Sequence, residues 1–498
     1  MSTATKWSEA SRGDGAGAAP TPDTFPTLRI RRDGFEARGD YAVAQARYLR
    51  PDPVRVAALD AALQAANAGV VAHFYMDPEL QGVLAACRWP HIHVSDSLVM
   101  ADKALAMVEA GASAIVVLGV DFMAENARAV LDAAGHEAIP LLRVSAAPIG
   151  CSLAEAADSA AYHAYLLQAA ATQNALHVVY INTSLRAKAL AESLVPTIAV
   201  TSSNVVRTVL QAFAQVPDVE VFFGPDTYMG HNLRALFAGA VALGDAACAA
   251  LHPAHDAASI AAAMPRLHTF EQGACVVHHL FGREVTAQVA RDYGDAFLTA
   301  HLEVPGEMFA LAAAAAQRGR GVVGSTSQIL QFIERTLASG AADGQVARYV
   351  LGTEAGMVTP IAHSVQRLLA ARQGAEAVDI VFPVAAEAVA ASDDPALGVV
   401  PGVAGGEGCS TAGGCATCPY MKMNTLDGAL HALRLLAVGD AAGMAPLRPA
   451  NGGARIALQD VATLGVQPIA AMRIYGATGA LPDTLVARTR SRLAPTPT

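Results

Sequence analysis

Charge is scarce in this chain, and aromatic side chains are scarcer. Of 498 residues only 16% are charged and 5% aromatic, with two tryptophans. Asp and Glu (44) outnumber Lys and Arg (34), so the formal net charge is −10 and the pI is near 5.8. Without a basic excess the chain lacks the electrostatic footprint of a protein that binds nucleic acid or an anionic membrane. An anionic small molecule stays compatible, because one pocket can be positive on an acidic protein. Apolar runs of the ~18 to 20 residues needed to cross a bilayer are missing. The Ala-rich stretch Ala235 to Gly244 is cut off by Asp245 and reads as a buried helix. Seven cysteines are too few and too scattered for a disulfide framework. The opening residues have no signal-peptide core, and their acidic residues argue against a transit peptide, so the expected compartment is the cytoplasm. Residues 1–39, rich in Ser, Ala, Gly, Pro and Thr with no hydrophobic period, are expected to form a flexible tail.

What is present is apolar and periodic: 53% of the residues are hydrophobic, and the length predicts two to four domains. One pattern returns three times. Val70–Tyr75 is followed by His93–Ser97, Ala114–Gly119 and Cys151; Val178–Asn182 by Ala199–Asn204, Val221–Gly224 and Cys275; Phe297–Glu303 by Val322–Thr326, Tyr349–Gly352 and Cys418. The polar pair precedes the hydroxyl turn by 24, 22 and 24 residues, and the hydroxyl turn precedes the glycine by 22, 22 and 27. One strand, one helix and two turns fill such a length. Strands alternating with helices predict parallel sheets with right-handed crossovers. The fold class expected is therefore α/β: three similar parallel-sheet α/β/α domains (40–150, 151–274 and 275–440) in a pseudo-threefold arrangement around a central cluster site. A C-terminal extension (441–498) follows. The apolar run Ile380–Pro383 reads as an insertion in the third round.

Three constellations carry chemistry, and all fall at carboxyl ends of expected strands, where open parallel sheets gather their functional groups. Cys151 follows a glycine at an expected helix start, Cys275 sits similarly, and Cys418 closes a loop that also holds Cys409 and Cys415. A helix start favours thiolate, and thiolates are the usual ligands of iron–sulfur clusters. A buried inert thiol is the plainer reading of Cys151 or Cys275 taken singly. For Cys415 and Cys418 a redox dithiol or half a zinc site competes, although a second C-x-x-C is lacking. Three ligands to four irons would leave one iron open as a Lewis acid. Cys87 and Cys248, outside the repeat, read as small core residues. The turns Thr201–Asn204 and Gly324–Ser327 offer hydroxyls and free amides to a phosphate or carboxylate, against the ordinary alternative of a helix cap. In His73/Tyr75, Tyr180/Asn182 and His301/Glu303, residues two apart point the same way, and His, Glu and Tyr suit acid–base work. His278 and His279 read as structural.

Taken together, Ala72–Tyr75, Ser95–Leu98, Gly119–Glu125, Gly150–Ser152, Tyr180–Ser184, Thr201–Asn204, Gly324–Thr326 and Cys418–Asn424 resemble quinolinate synthase over Tyr41 to Leu436. The resemblance implies three α/β domains meeting at a [4Fe-4S] cluster, with Cys151, Cys275 and Cys418 as its ligands. It implies condensation of iminoaspartate with dihydroxyacetone phosphate to quinolinate for NAD biosynthesis, by a transferase that also dehydrates. L-aspartate oxidase is the implied functional partner. His73, Ser97, Asn182, Ser202, His301, Ser325 and Thr326 would bind substrate, while Tyr75, Tyr180, His301 and Glu303 would move protons. Leu302 and Val304 stand where shorter members carry Pro and Cys, which marks the longer form of the family; Met76 replaces a common glutamine. Cys409 and Cys415 either compete with Cys418 as third ligand or form a reversible disulfide, and the Cys-Pro-x-Met context favours Cys418. Two other readings are another three-cysteine cluster enzyme with diphthamide-type radical chemistry and a non-catalytic sensor holding a cluster or zinc.

Overall fold

The computed structural model describes residues 25–97, 99–341, 343–371, 374–384, 418–450, 454–456 and 458–491. Its first elements correct the sequence expectation of a tail reaching residue 39. β1 (Thr27–Ile30) and β2 (Phe35–Arg38) form an antiparallel hairpin. Leu28 and Ile30 are fully buried, and Arg29 pairs with Asp379 at 2.6 Å. Two short strands with an alternating face leave too little period to be read beside a polar leader.

Three parallel sheets follow. The first is built from β3 (Ala68–His73), β4 (Ile92–Ser95), β5 (Ala114–Leu118) and β6 (Leu141–Leu142). The second comprises β7 (Ala175–Tyr180), β8 (Thr197–Val200), β9 (Glu220–Gly224) and β10 (Leu267–Thr269). β11 (Phe297–His301), β12 (Gly321–Gly324), β13 (Val346–Gly352) and β14 (Ala377–Val381) make the third, with β1 adding antiparallel to β14. Their orders are β4-β3-β5-β6, β8-β7-β9-β10 and β12-β11-β13-β14, so all three units share one winding. The run taken as an insertion, Ile380–Pro383, overlaps the fourth strand of the third unit. Its counterparts β6 and β10 are only two and three residues long, too short to show in a periodicity.

β3, β5, β7 and β11 are buried along their whole length, which is why they read as near-continuous Val, Ile, Leu and Ala rather than alternating. Helix starts are chemically marked. Asp77 caps the helix Pro78–Ala86 by accepting from the Glu79 amide, and Ser184 caps Leu185–Leu194 through Ala187. Such caps contribute about 1 kcal/mol each. One helix departs from the expected division. Leu426–Val438 follows the third sheet in sequence, but its Leu426, Ala429 and Leu433 share a core with Val70 and Val116 of the first. The penultimate helix, Val461–Thr478, lies on the helix Leu185–Leu194 so closely that a Cβ on Gly465 would meet Leu185 O at 2.6 Å. No described helix is long and apolar enough to cross a membrane.

Candidate active site

In an open sheet wound in this order, the crevice lies beyond the carboxyl end of the first strand, where the connections diverge. The residues ending β3, β7 and β11 are His73, Tyr180 and His301, and they come together. The Tyr180 hydroxyl donates to Glu303 Oε1 across the second and third units. Glu303 Oε2 faces His278 Nδ1 at 3.0 Å, and His278 stacks on His301 with ring centroids 4.7 Å apart. Tyr75 reaches the same place from the first unit, 6.1 Å from the His278 ring, and its hydroxyl meets Thr353 Oγ1 at 3.1 Å. The backbone permits this approach because residue 356 is glycine: a Cβ there would sit 2.8 Å from Tyr75 Cα.

The first and third units share a local device. The His73 Nδ1 accepts from the Tyr75 amide at 3.2 Å, and His301 Nδ1 accepts from the Glu303 amide at 3.3 Å. Each neutral ring therefore carries its proton on Nε2. Burial lowers His73 to about 4 and His301 to about 3, against the pull of Glu303 in both cases. The 3.6 Å approach of His301 Nδ1 to Glu303 Oε1 is accordingly not an ion pair at neutral pH. Burial pushes the Glu303 carboxyl up, but the attraction of His301 and His278 when protonated, together with hydrogen bonds from His278 and the Tyr180 hydroxyl, outweighs it and holds the group below the usual carboxylate range. Tyr75 and Tyr180 are raised well above 10, first by burial and then by Glu303. One ionised carboxylate is thus ringed by groups that keep their protons.

Asn182 stands two residues beyond Tyr180. Its turn is held by Lys188, whose buried ammonium donates to Ile181 O at 3.0 Å and to Thr183 O. Among the described residues the buried Asn182 Oδ1 and His278 Nε2 have no hydrogen-bond partner. Leaving such atoms unpaired costs roughly 1–3 kcal/mol each, which a ligand would recover.

The three thiols flank this cluster. Ser152 Oγ donates to Ala274 O at 2.9 Å, which joins the Cys151 and Cys275 segments. Cys418 packs in the same apolar cluster as Cys151, and its amide donates to Glu354 Oε1 at 3.1 Å. All three cysteines remain partly accessible, yet burial is the largest influence on their protonation, as expected of thiols lining an interior recess. Burial raises Cys151 to about 11 and Cys418 to about 12, and it raises Cys275 well above its ordinary value. The expectation of a thiolate favoured by a helix start is therefore corrected: desolvation outweighs the amides. Those amides are nonetheless arranged alike, for the N–H three residues on (Ala154, His278, Met421) bonds to each sulfur. A charge on Cys151 or on Cys418 would be felt by Cys275, and one on Cys151 also by Cys418. Three such sulfurs form a donor set that fits a cluster. A second grouping overlaps it: ligand atoms of Cys275, His278 and Glu303 lie within 4.8 Å of one another. Cys409 and Cys415 lie outside the described residues. Cys248 is buried in the core as expected, while Cys87 is half-buried at a helix end and reaches Val56 O at 3.8 Å.

Ser97, Ser202, Ser325 and Thr326 follow the second strands β4, β8 and β12. Ser325 also serves as a helix cap, with a capping box to Gln328. Cavities open elsewhere too. One of about 280 Å3, bounded by Arg128, Asp132 and Arg448, touches none of these groups, and the convergence of side chains is the better guide to chemistry.

The model of the quinolinate synthetase A protein family matches residues 57–438. The chain belongs to this family. A chloroplastic quinolinate synthase of Nicotiana tabacum is 50% identical over 488 residues, covering 94% of this chain and 66% of that protein's length. The chloroplastic enzyme of Arabidopsis thaliana is 50% identical over 494 residues, covering 94% and 68%. A quinolinate synthase of Cyanothece sp. is 26% identical over 368 residues, covering 74% and 82%. The chain thus spans about two thirds of the length of the plant relatives. Their chloroplastic names overturn the cytoplasmic expectation, which rested only on the composition of the opening residues.

His278, set aside as structural from sequence, lies at the centre of the site. The signal was its spacing: in Cys275-x-x-His278 a turn brings the third residue back beside the thiol. Glu354 and Thr353 also escaped notice, because they follow the third strand β13 and no polar pair marks them.

Proposed function

We propose that this chain is a quinolinate synthase, condensing iminoaspartate with dihydroxyacetone phosphate to quinolinate, phosphate and water for NAD biosynthesis in a plastid. The observation that carries this reading is the buried meeting of Tyr180, Glu303 and His278 beside Cys275 in a chain of this family.

In this reading Cys151, Cys275 and Cys418 hold a [4Fe-4S] cluster on a pseudo-threefold axis, which when bound supplies a Lewis acid at an iron without a protein ligand. The remaining chemistry belongs to side chains. Glu303, ionised at neutral pH, takes a proton from substrate carbon or nitrogen; Tyr180, bonded to it, and Tyr75 return protons to departing oxygens. His73 and His301 donate through Nε2 to a carboxylate or carbonyl oxygen. Asn182 pairs its free amide with the same substrate, and the hydroxyls of Ser97, Ser202, Ser325 and Thr326 take the phosphate or a carboxylate. Burial excludes water and strengthens each of these bonds.

Anaerobically reconstituted protein is expected to form quinolinate from the two substrates. Absence of product with four irons and four sulfides bound would refute the assignment. The grouping of Cys275, His278 and Glu303 favours a second reading, a single divalent ion such as zinc held by mixed ligands. It predicts about one zinc per chain and no acid-labile sulfide.

A further inference from the structure

The second strands of the three units end in turns that no sheet connects, yet one carboxylate spans all three. Ser203 Oγ donates to Asp96 Oδ2 at 3.3 Å, and Ser327 Oγ donates to the same oxygen at 2.9 Å. Asp96 follows β4, Ser203 follows β8 and Ser327 follows β12, equivalent places in the three windings. Each is the neighbour of a residue read above as taking the substrate's anionic group: Asp96 precedes Ser97, Ser203 follows Ser202, and Ser327 follows Thr326. A cavity of about 670 Å3 lined by Val99, Asp102, Asn204 and Arg473 opens beside two of these turns.

From this alternation we infer that Asp96 is a positioning residue: by collecting the outer hydroxyls of Ser203 and Ser327 it holds three independent turns as one anion cradle. The inference rests on the proposed substrate and adds a residue to its recognition. The physical argument has two opposing parts. A carboxylate beside a phosphate site repels the ligand. A carboxylate that accepts two hydroxyl bonds orders three loops before the ligand arrives, so less ordering entropy is lost on binding. Two charge-assisted bonds, partly exposed, outweigh a screened repulsion, and the ordering effect is expected to win.

Asp96→Asn and Asp96→Ala separate the parts, because the amide oxygen still accepts both hydroxyls while alanine accepts neither. For Asp96→Ala the KM for dihydroxyacetone phosphate is expected to rise about tenfold with kcat changed less than about twofold. Asp96→Asn should stay within about twofold of the parent. The double variant Ser203→Ala/Ser327→Ala should raise KM severalfold, and adding Asp96→Ala to it should change little further, since coupled residues are not additive. An unchanged KM in Asp96→Ala, or an Asp96→Asn variant as impaired as Asp96→Ala, would overturn the inference. If the parent makes no quinolinate, the function assignment fails by itself. Titration with inorganic phosphate, expected about tenfold weaker for Asp96→Ala than for Asp96→Asn, then decides the cradle independently, and equal affinities sink it.

Discussion

The first strands and the second strands of the three units end side by side, and they carry different chemistry. At the ends of β3, β7 and β11 lie groups buried deeply enough that their protonation is set by desolvation: two neutral imidazoles, two tyrosines that hold their protons and one carboxylate stabilised by its neighbours. At the ends of β4, β8 and β12 lie serines and threonine, none of which titrates in a useful range, joined by the half-buried Asp96. In the proposed function, the same topological position, one strand apart, separates proton transfer from anion recognition. Burial makes the inner groups reactive and dependent on exact partners. The outer groups need only donors held in place.

That contrast can be broken most decisively at Glu303. Glu303→Gln removes the one ionised group of the inner set while keeping its shape, and kcat is expected to fall by about 10³, with Tyr180→Phe losing about 10². Comparable losses in KM instead, measured by steady-state quinolinate formation, would erase the division between the two sets. The thiols sharpen the comparison from the other side. Cys275→Ser should abolish stable iron and sulfide binding, whereas Cys248→Ser, buried in a helix away from the repeat, should leave both intact; equal metal content in the two would disprove the ligand choice.

A smaller effect follows from pH. His73 and His301 titrate near 4 and 3 when folded, and His177, buried against Tyr162, near 3. Their folded values lie below the unfolded value of about 6.5, so the unfolded chain binds more protons between these limits. Stability is complete above about pH 6.5 and falls as pH drops toward 4. At pH 5.5 roughly 1 kcal/mol is expected to be lost per imidazole. Denaturant midpoints of the metal-free chain at pH 7 and pH 5.5 check this, and identical midpoints would show that the rings are charged in the folded state. The outer turns give the smallest change, the tenfold shift in KM expected of Asp96→Ala.

Much of this was legible before any coordinates. Buried parallel strands write long apolar runs, and those of β3, β7 and β11 were read correctly together with the polar pairs that end them. The hairpin β1–β2 was not, because it borrows its order from β14, about 350 residues away in sequence. The fourth strands β6 and β10 were too short to see. His278 escaped notice because nothing within its own short helical turn, shared with His279, marks it, while its partner Glu303 follows the distant strand β11.

By itself the amino-acid order determined the threefold repeat, the alternation of strand and helix, and the candidate residues of each round, since all of these are local properties of period and spacing. Tertiary structure alone decided which of those residues meet, that burial and not the helix start governs the thiols, and that Asp96 of one unit serves the turns of the other two. The reason is physical: desolvation and cross-unit hydrogen bonds arise only when distant segments exclude water together.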